Sequence, residues 1–343
     1  MKKILVLTGL ILGIFLLFGT GPVRAQEGGN VVPEKPKAPE DAKAPGWHPL
    51  LKAAANLSFS HNRGVVGNAD GSNWNIGTLL NGGLNWLNAS GHSWENNLKW
   101  QLNYTQTPTL NRFTKAVDGL DFNSTYLYNI PSIKWLGPFA ELVLQTPVFP
   151  GYDIRSTDVT VIKLDKNGVP IGSPEEKWAK LQIKLTGPFA PALVKESAGV
   201  FADALNQTAI KLNFRAGLSA WEIWARNGYV LADNAATPEL ELKRIQDSTS
   251  FGSGVIAKAT GTLRPEVTYE AKAEAMYPFV HSSKTSVSGI DLLNLDFNFL
   301  LQAKLQKWLS LDYTLKALRL PLITDKWQIQ NGLLLSATFD LVK

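Results

Sequence analysis

Residues 293–305 read Leu-Asn-Leu-Asp-Phe-Asn-Phe-Leu-Leu-Gln-Ala-Lys-Leu. In an extended chain Leu293, Leu295, Phe297, Phe299, Leu301, Ala303 and Leu305 fall on one face. Asn294, Asp296, Asn298, Gln302 and Lys304 fall on the other. Apolar residues at every second position mark a strand with one apolar and one polar face. The pattern recurs. Trp94, Asn96, Leu98, Trp100, Leu102 and Tyr104 oppose Glu95, Asn97, Lys99, Gln101 and Asn103. Ile210, Leu212, Phe214, Ala216 and Leu218 oppose Lys211, Asn213, Arg215, Gly217 and Ser219.

These runs are long. At about 10–14 residues they exceed the usual strand of roughly 5–6 and match the roughly 9–11 needed to cross a bilayer at a tilt. About twelve are expected, at 51–60, 75–88, 93–106, 120–130, 138–148, 178–186, 208–221, 252–262, 266–279, 292–305, 309–320 and 327–341. Tight turns at 88–92, 263–265 and 306–308 alternate with longer connections, above all 149–177 and 222–251, as in barrels that cross an outer membrane. The expected fold is all-β: a closed antiparallel transmembrane β-barrel, closed because an open edge in lipid leaves unpaired amides. One departure is expected. Leu193, Ser197, Phe201, Ala204 and Leu205 are spaced as on a short helix, placing one within 187–207 on the periplasmic, short-turn side.

Lys2 and Lys3 precede an apolar run from Ile4 to Phe18, and Val23-Arg24-Ala25 supplies small residues for cleavage. The reading is a signal peptide over 1–25, a Pro-rich periplasmic tail over 26–47, and a barrel over 48–343. Of 34 basic residues three leave with the leader, so 31 face 29 acidic ones. The small remaining charge gives no ground for nucleic-acid binding. With no cysteine, the 343-residue chain has no disulfides or thiolate sites, and four histidines leave little for a metal centre.

The segment 72–153 carries Asn73-Trp74 with Gly77, Gly82-Gly83 and Asn85, then Trp94-x-Asn96-Asn97-Leu98, Lys115-x-x-Asp118, and Thr146-Pro147-x-Phe149-Pro150-Gly151-Tyr152-Asp153. In these motifs the chain resembles a family of exported outer-membrane β-barrels of unassigned function, a domain of unknown function from Gram-negative bacteria. The double glycine that usually follows Asn-Trp is displaced here. The resemblance implies a barrel in an outer membrane and no activity.

Amphipathic rings belong at the two membrane interfaces. The girdle residues expected are Trp74, Tyr104, Tyr277 and Trp327 toward the long loops, and Trp86, Trp94, Trp308 and Phe339 toward the short turns. The charged residues expected in the lumen are Lys180, Lys184, Lys211 and Arg215 on one wall, and Glu266, Glu270, Lys272 and Glu274 on another. Two arrangements are open: separated walls that set a transverse field across a bore, or side chains that reach across and pair. The functions that follow are a narrow channel for small polar solutes or a filled structural or assembly-partner barrel. An outer-membrane enzyme is the remaining class, for which His281-Ser282-Ser283 is the one local cluster. Asn68-Ala-Asp70-Gly71 resembles part of a calcium loop but lacks the closing acid. No catalytic residue, metal or cofactor is expected. The expected partners are outer-membrane lipid, lipopolysaccharide and the barrel-assembly machinery; the oligomeric state stays open. Asn167-Gly168 reads as the tip of a hairpin in the long third loop.

Overall fold

A computed structural model describes residues 44–62, 71–110, 112–177, 182–232, 234, 236–282, 288–322 and 324–342. The expected leader, nearly all of the tail, Lys180 and the calcium-like segment 68–70 lie outside them. The strands are β1 (Gly46–Asn62), β2 (Gly71–Leu87), β3 (His92–Gln106), β4 (Phe113–Tyr128), β5 (Leu136–Thr146), β6 (Gly151–Ile154), β7 (Val159–Leu164), β8 (Pro170–Lys177) and β9 (Gln182–Thr186). They continue with β10 (Ala192–Gln207), β11 (Ile210–Trp224), β12 (Tyr229–Leu231), β13 (Leu240–Arg244), β14 (Ser248–Arg264), β15 (Val267–His281), β16 (Asn294–Lys304), β17 (Leu309–Leu320) and β18 (Thr324–Val342).

Twelve of these close into an antiparallel barrel, in the order β1-β18-β17-β16-β15-β14-β11-β10-β5-β4-β3-β2. Closure pairs Ala53 of β1 with Phe339 of β18, which joins the first strand to the last. The short connections, such as the two residues between β10 and β11, gather at one end. The long ones, from β5 to β10 and from β11 to β14, gather at the other.

The expected helix within 187–207 is not there. Ala192–Gln207 is a barrel strand, paired with β5 and β11. The expected sixth strand, 178–186, is displaced in turn: its described part is β9, which lies in the long connection and pairs with β6 outside the barrel. The total of twelve survives because one misplaced strand stood in for another. Helix-like spacing arose because β10 breaks the simple alternation. It turns Leu193 and Phe201 inward among polar neighbours and Glu196 outward. The described residues hold one helical turn, a 3-10 turn at Gly289–Leu292 on the long-loop side.

The long connections fold on each other. β12, β13, β7 and β8 form a four-stranded sheet, with β13 parallel to β7, and β6 pairs with β9. Val161, Ile183, Leu240 and Leu242 make its core, with Val159, Leu185 and Tyr229 against them. The hairpin expected at Asn167-Gly168 is present as β7–β8. Gly168 supplies the positive φ of +88°, and the Asp165 carboxylate accepts the N–H groups of Val169 and Asn167, both at 2.8 Å. Those bonds, the one from Val169 first, hold the Asp165 carboxyl below its ordinary range.

The outer surface is mostly apolar. Leu333, Leu335, Val255, Leu218 and Val200 are about half exposed, each on a face whose alternate residues point into the barrel. Trp47, Trp86, Trp94 and Tyr126 are successive partners in one row across β1 to β4, with the Trp47 ring 6.4 Å from Trp86 and 6.2 Å from Trp94. Trp308 and Phe339 are exposed toward the same short-turn end, and Trp74, Tyr104, Tyr277 and Trp327 toward the opposite end.

Candidate functional site

The interior is the site that this fold builds. Side chains up to four strands apart around the wall meet there, which only inward-facing residues can do. Lys195 Nζ of β10 lies 3.0 Å from Glu274 Oε2 of β15 and 2.6 Å from Asp296 Oδ2 of β16. Glu141 of β5 receives Arg215 Nη1 of β11 at 3.0 Å and Lys272 Nζ of β15 at 3.2 Å. Lys272 also lies 3.9 Å from Glu274, which joins the two halves. Three cations and three carboxylates balance. Asn123 donates to Glu141 at 2.7 Å and Asn298 to Asp296 at 2.7 Å, so both oxygens of these two carboxylates have partners. The Lys195 side chain is 3% exposed. Charges so buried persist only when paired and hydrogen-bonded.

Small residues make room for this crossing. Gly217 of β11 and Gly254 of β14 line the wall behind the network, where only a cavity of about 10 Å³ remains. That is space for about one water molecule. A Cβ on Gly217 would stand 2.1 Å from the Ala198 carbonyl oxygen, so this wall admits no larger residue.

Above the network, toward the long loops, Leu193, Trp221, Ile223, Met276 and Leu320 form an apolar cluster with Leu318 packed against it. Lys195 sits 4.0 Å over the Trp221 ring, and Trp221 Nε1 donates to Ser219. Below it, toward the short turns, Gln302 donates to Asp312 at 2.8 Å and Ser310 to Asp312 at 3.0 Å, all three nearly inaccessible. The wall of β1 to β4 is lined instead by amides, with Asn56, Asn75, Gln101 and Asn103 buried.

The structure therefore sorts the expected lumen charges. Arg215, Lys272 and Glu274 are in the network. Glu270 pairs with Lys258 at 3.0 Å. Lys211 is half-buried on β11 at the short-turn end, and Glu266 is exposed in the turn before β15. Lys184 is exposed on β9, outside the barrel, because that segment is not a barrel strand. Lys195 and Glu141, central here, were not singled out from sequence. Lys195 was hidden inside the supposed helix, and Glu141 is the sole carboxylate in an otherwise apolar β5.

The segment that carries the family resemblance builds a second feature. Two residues three apart on a strand normally face opposite sides. A bulge in β4 opposite Asn103 and Tyr104 skips Ala116 and puts Lys115 and Asp118 on one face, 2.9 Å apart. Asp118 accepts the N–H groups of Val148 at 3.1 Å and Phe149 at 2.6 Å, while Lys115 donates to the Phe149 carbonyl at 2.8 Å. This clamp fixes the chain where it leaves β5 for the loop sheet. Asp118→Ala is expected to cost about 1–3 kcal/mol locally, since it strands two backbone donors. Faster hydrogen exchange at Val148 and Phe149 checks it; unchanged protection contradicts it.

Of the histidines, His92 is bonded to the Tyr126 hydroxyl at 2.6 Å at the short-turn end, and His281 closes β15 at the opposite end. Among the described residues no three His, Asp or Glu side chains converge as a metal site would require.

Residues 66–152, about a quarter of the chain, match a family model described as "Protein of unknown function (DUF3078)". The match spans the segment with the resembling motifs. No curated protein sequence matches the chain. Similar solved structures include the translocator domain of autotransporter NalP from Neisseria meningitidis, 8% identical, with 87% of this chain and 90% of that one aligned at a TM-score of 0.37. An outer membrane channel from Pseudomonas putida F1 is 9% identical, with 90% and 100% aligned and a TM-score of 0.36.

Proposed function

We propose that the chain is an outer-membrane β-barrel of a Gram-negative bacterium whose bore is closed by its own side chains. On this reading it serves as a structural or assembly-partner barrel and holds its folded loop sheet at the cell surface. The observation that carries the closed bore is the Lys195–Glu274–Asp296 and Glu141–Arg215–Lys272 network, which joins strands two to four apart around the wall. The apolar cluster around Trp221, which joins β10, β11, β15 and β17, adds to the filling on the long-loop side. The membrane placement is supported by the apolar outer wall, the exposed rings toward both rims and the short-turn and long-loop asymmetry. No catalytic role is assigned to any residue.

A second reading, a gated channel for small polar solutes, draws on the amide-lined wall of β1 to β4. Swelling of proteoliposomes in arabinose separates the two. The closed barrel gives the rate of protein-free vesicles; swelling like that of an open porin overturns it.

The orientation has its own test, since the native chain has no cysteine. Lys166→Cys, at the hairpin tip, is expected to react with a membrane-impermeant maleimide in intact cells. Ser90→Cys, in the β2–β3 turn, is expected to react only after lysis. The reverse pattern contradicts the orientation.

A further inference from the structure

The seam that closes the barrel is paired over only part of its length. β1 is held by β2 from Gly46 to Asn62, and β18 by β17 from Thr324 to Ala337. Across the seam, β1 and β18 pair from Leu51 with Val342 to Asn56 with Ser336. Both strands continue beyond that row toward the long loops. Among the described residues neither 57–62 of β1 nor 324–335 of β18 pairs across the seam. The wall splits there into two edges.

On the reading of the chain as a membrane-spanning assembly partner, on which this inference rests, the split begins within the hydrocarbon layer. Leu57, Leu333 and Leu335 flank it on the outer face, about half exposed. Trp74, exposed toward the long-loop rim, pairs with Phe59, two residues beyond Leu57. An edge at that depth leaves backbone N–H and C=O groups that lipid tails cannot bond. Edges that stay unpaired are usually protected by proline, lysine or inward charge. These are not. Leu57-Ser-Phe-Ser-His-Asn62 and Trp327-Gln-Ile-Gln-Asn-Gly-Leu-Leu-Leu335 hold no proline and no Lys, Arg, Asp or Glu.

A second shortage lies just inside. The row on which the seam pairing stops runs Ser336, Asn56, Gly77, Asn103. Ser336 Oγ, Asn56 Nδ2 and both amide atoms of Asn103 are buried with no hydrogen-bond partner among the described residues. So is Asn75 Oδ1, one inward position closer to the long loops on β2. Buried polar atoms are otherwise almost always paired. Unmet backbone groups at the edges and unmet side-chain groups behind them coincide at one place in the wall.

We infer that the split takes up an extended segment of another polypeptide, added as a strand beside β18. A strand is the occupant whose chemistry repeats with the edge, presenting one N–H and one C=O to it at every second residue, roughly every 6.8 Å. A lipid headgroup offers such groups at one depth only. The guest segment alternates in character. Its outward side chains are apolar, beside Leu333 and Leu335. Its inward side chains carry amides or hydroxyls, toward the row of Asn56, Asn103 and Ser336. The assembly-partner role is then that of a barrel that receives a strand.

The test uses the full mature chain refolded into phosphatidylcholine vesicles, with protease protection of the barrel read separately to report insertion. Ala55→Cys with Ala337→Cys, facing positions in the paired part of the seam, is expected to cross-link on mild oxidation. Leu57→Cys with Leu335→Cys, which would face each other if the pairing continued, is expected to cross-link about tenfold more slowly. The probe for the guest is a synthetic peptide of residues 294–304 with an added N-terminal cysteine. Its mixed disulfide is expected to form about tenfold faster with Leu333→Cys, on the free edge, than with Phe339→Cys, in the paired part. The same peptide with its backbone N–H groups methylated is expected to lose that preference. Equal cross-linking of the two cysteine pairs in an inserted barrel overturns the split. An open split with no preference for Leu333→Cys, or with one that survives methylation, overturns the strand as its occupant. Failure to insert overturns the membrane reading and this inference together.

Discussion

Replacing Lys195 with methionine is expected to destabilise the barrel by about 3–5 kcal/mol, the usual result of removing one partner from a buried ion cluster. Methionine keeps the length of the side chain and its packing over Trp221. What it removes is the sole cation within 3.0 Å of two carboxylates, Glu274 and Asp296, whose side chains are 6% and 4% exposed. Lys272, 3.9 Å from Glu274 and already engaged by Glu141, is poorly placed to replace it. Neutralising both acids in the same background, as Lys195→Met with Glu274→Gln and Asp296→Asn, is expected to recover most of the loss, because uncompensated charge is then gone. Urea unfolding in lipid vesicles measures both. A single variant within about 1 kcal/mol of the wild type would mean that water reaches these carboxylates.

The second large effect is on the outside. Phe299 of β16 packs edge-on against Tyr313 at 6.3 Å, one strand away, on the apolar outer face. Phe299→Arg is expected to cost about 2–4 kcal/mol, the penalty for a cation near the bilayer midplane. Its neighbour Asn298 faces inward between Lys272 of β15 and Lys316 of β17, so Asn298→Asp adds an anion beside two cations at far lower cost. Equal costs in the same unfolding assay would contradict the assignment of faces along β16.

Most of the fold was legible because the two faces of a strand in such a wall meet different solvents. β3 and β16 alternate so cleanly that their faces follow from residues 94–104 and 294–304 alone. β10 did not, and the reason is physical. Its inward residues Leu193 and Phe201 belong to a packed interior, so an apolar side chain no longer identifies the outside, and Glu196 places a carboxylate there. The two-residue hairpin to β11 at 208–209 was the available signal, since so tight a link implies that a strand precedes it.

The site was legible in part. Alternation put Arg215, Lys272 and Glu274 inside, but not whom they meet. Contacts between Glu141 and Lys272, or Lys195 and Asp296, depend on closure and shear, which no local pattern encodes. The separated charged walls that would have set a transverse field are not what the structure forms. Arg215 finds Glu141 on β5 and Glu274 finds Lys195 on β10, so the charges cancel across the bore. The Lys115–Asp118 clamp shows the same limit, because a three-residue spacing on a strand joins one face only once the bulge at Ala116 is known.

Single-channel recording of the purified barrel in a planar bilayer tests the closed bore most directly. The wild type is expected to insert and show no steady conductance in 1 M KCl. The variant Lys195→Ala with Glu141→Ala and Arg215→Ala, which removes the network across the lumen, is expected to show current steps or large current noise. Stable, long-lived conductance steps in the wild type, comparable to those of an open porin, would contradict a lumen filled by its own side chains.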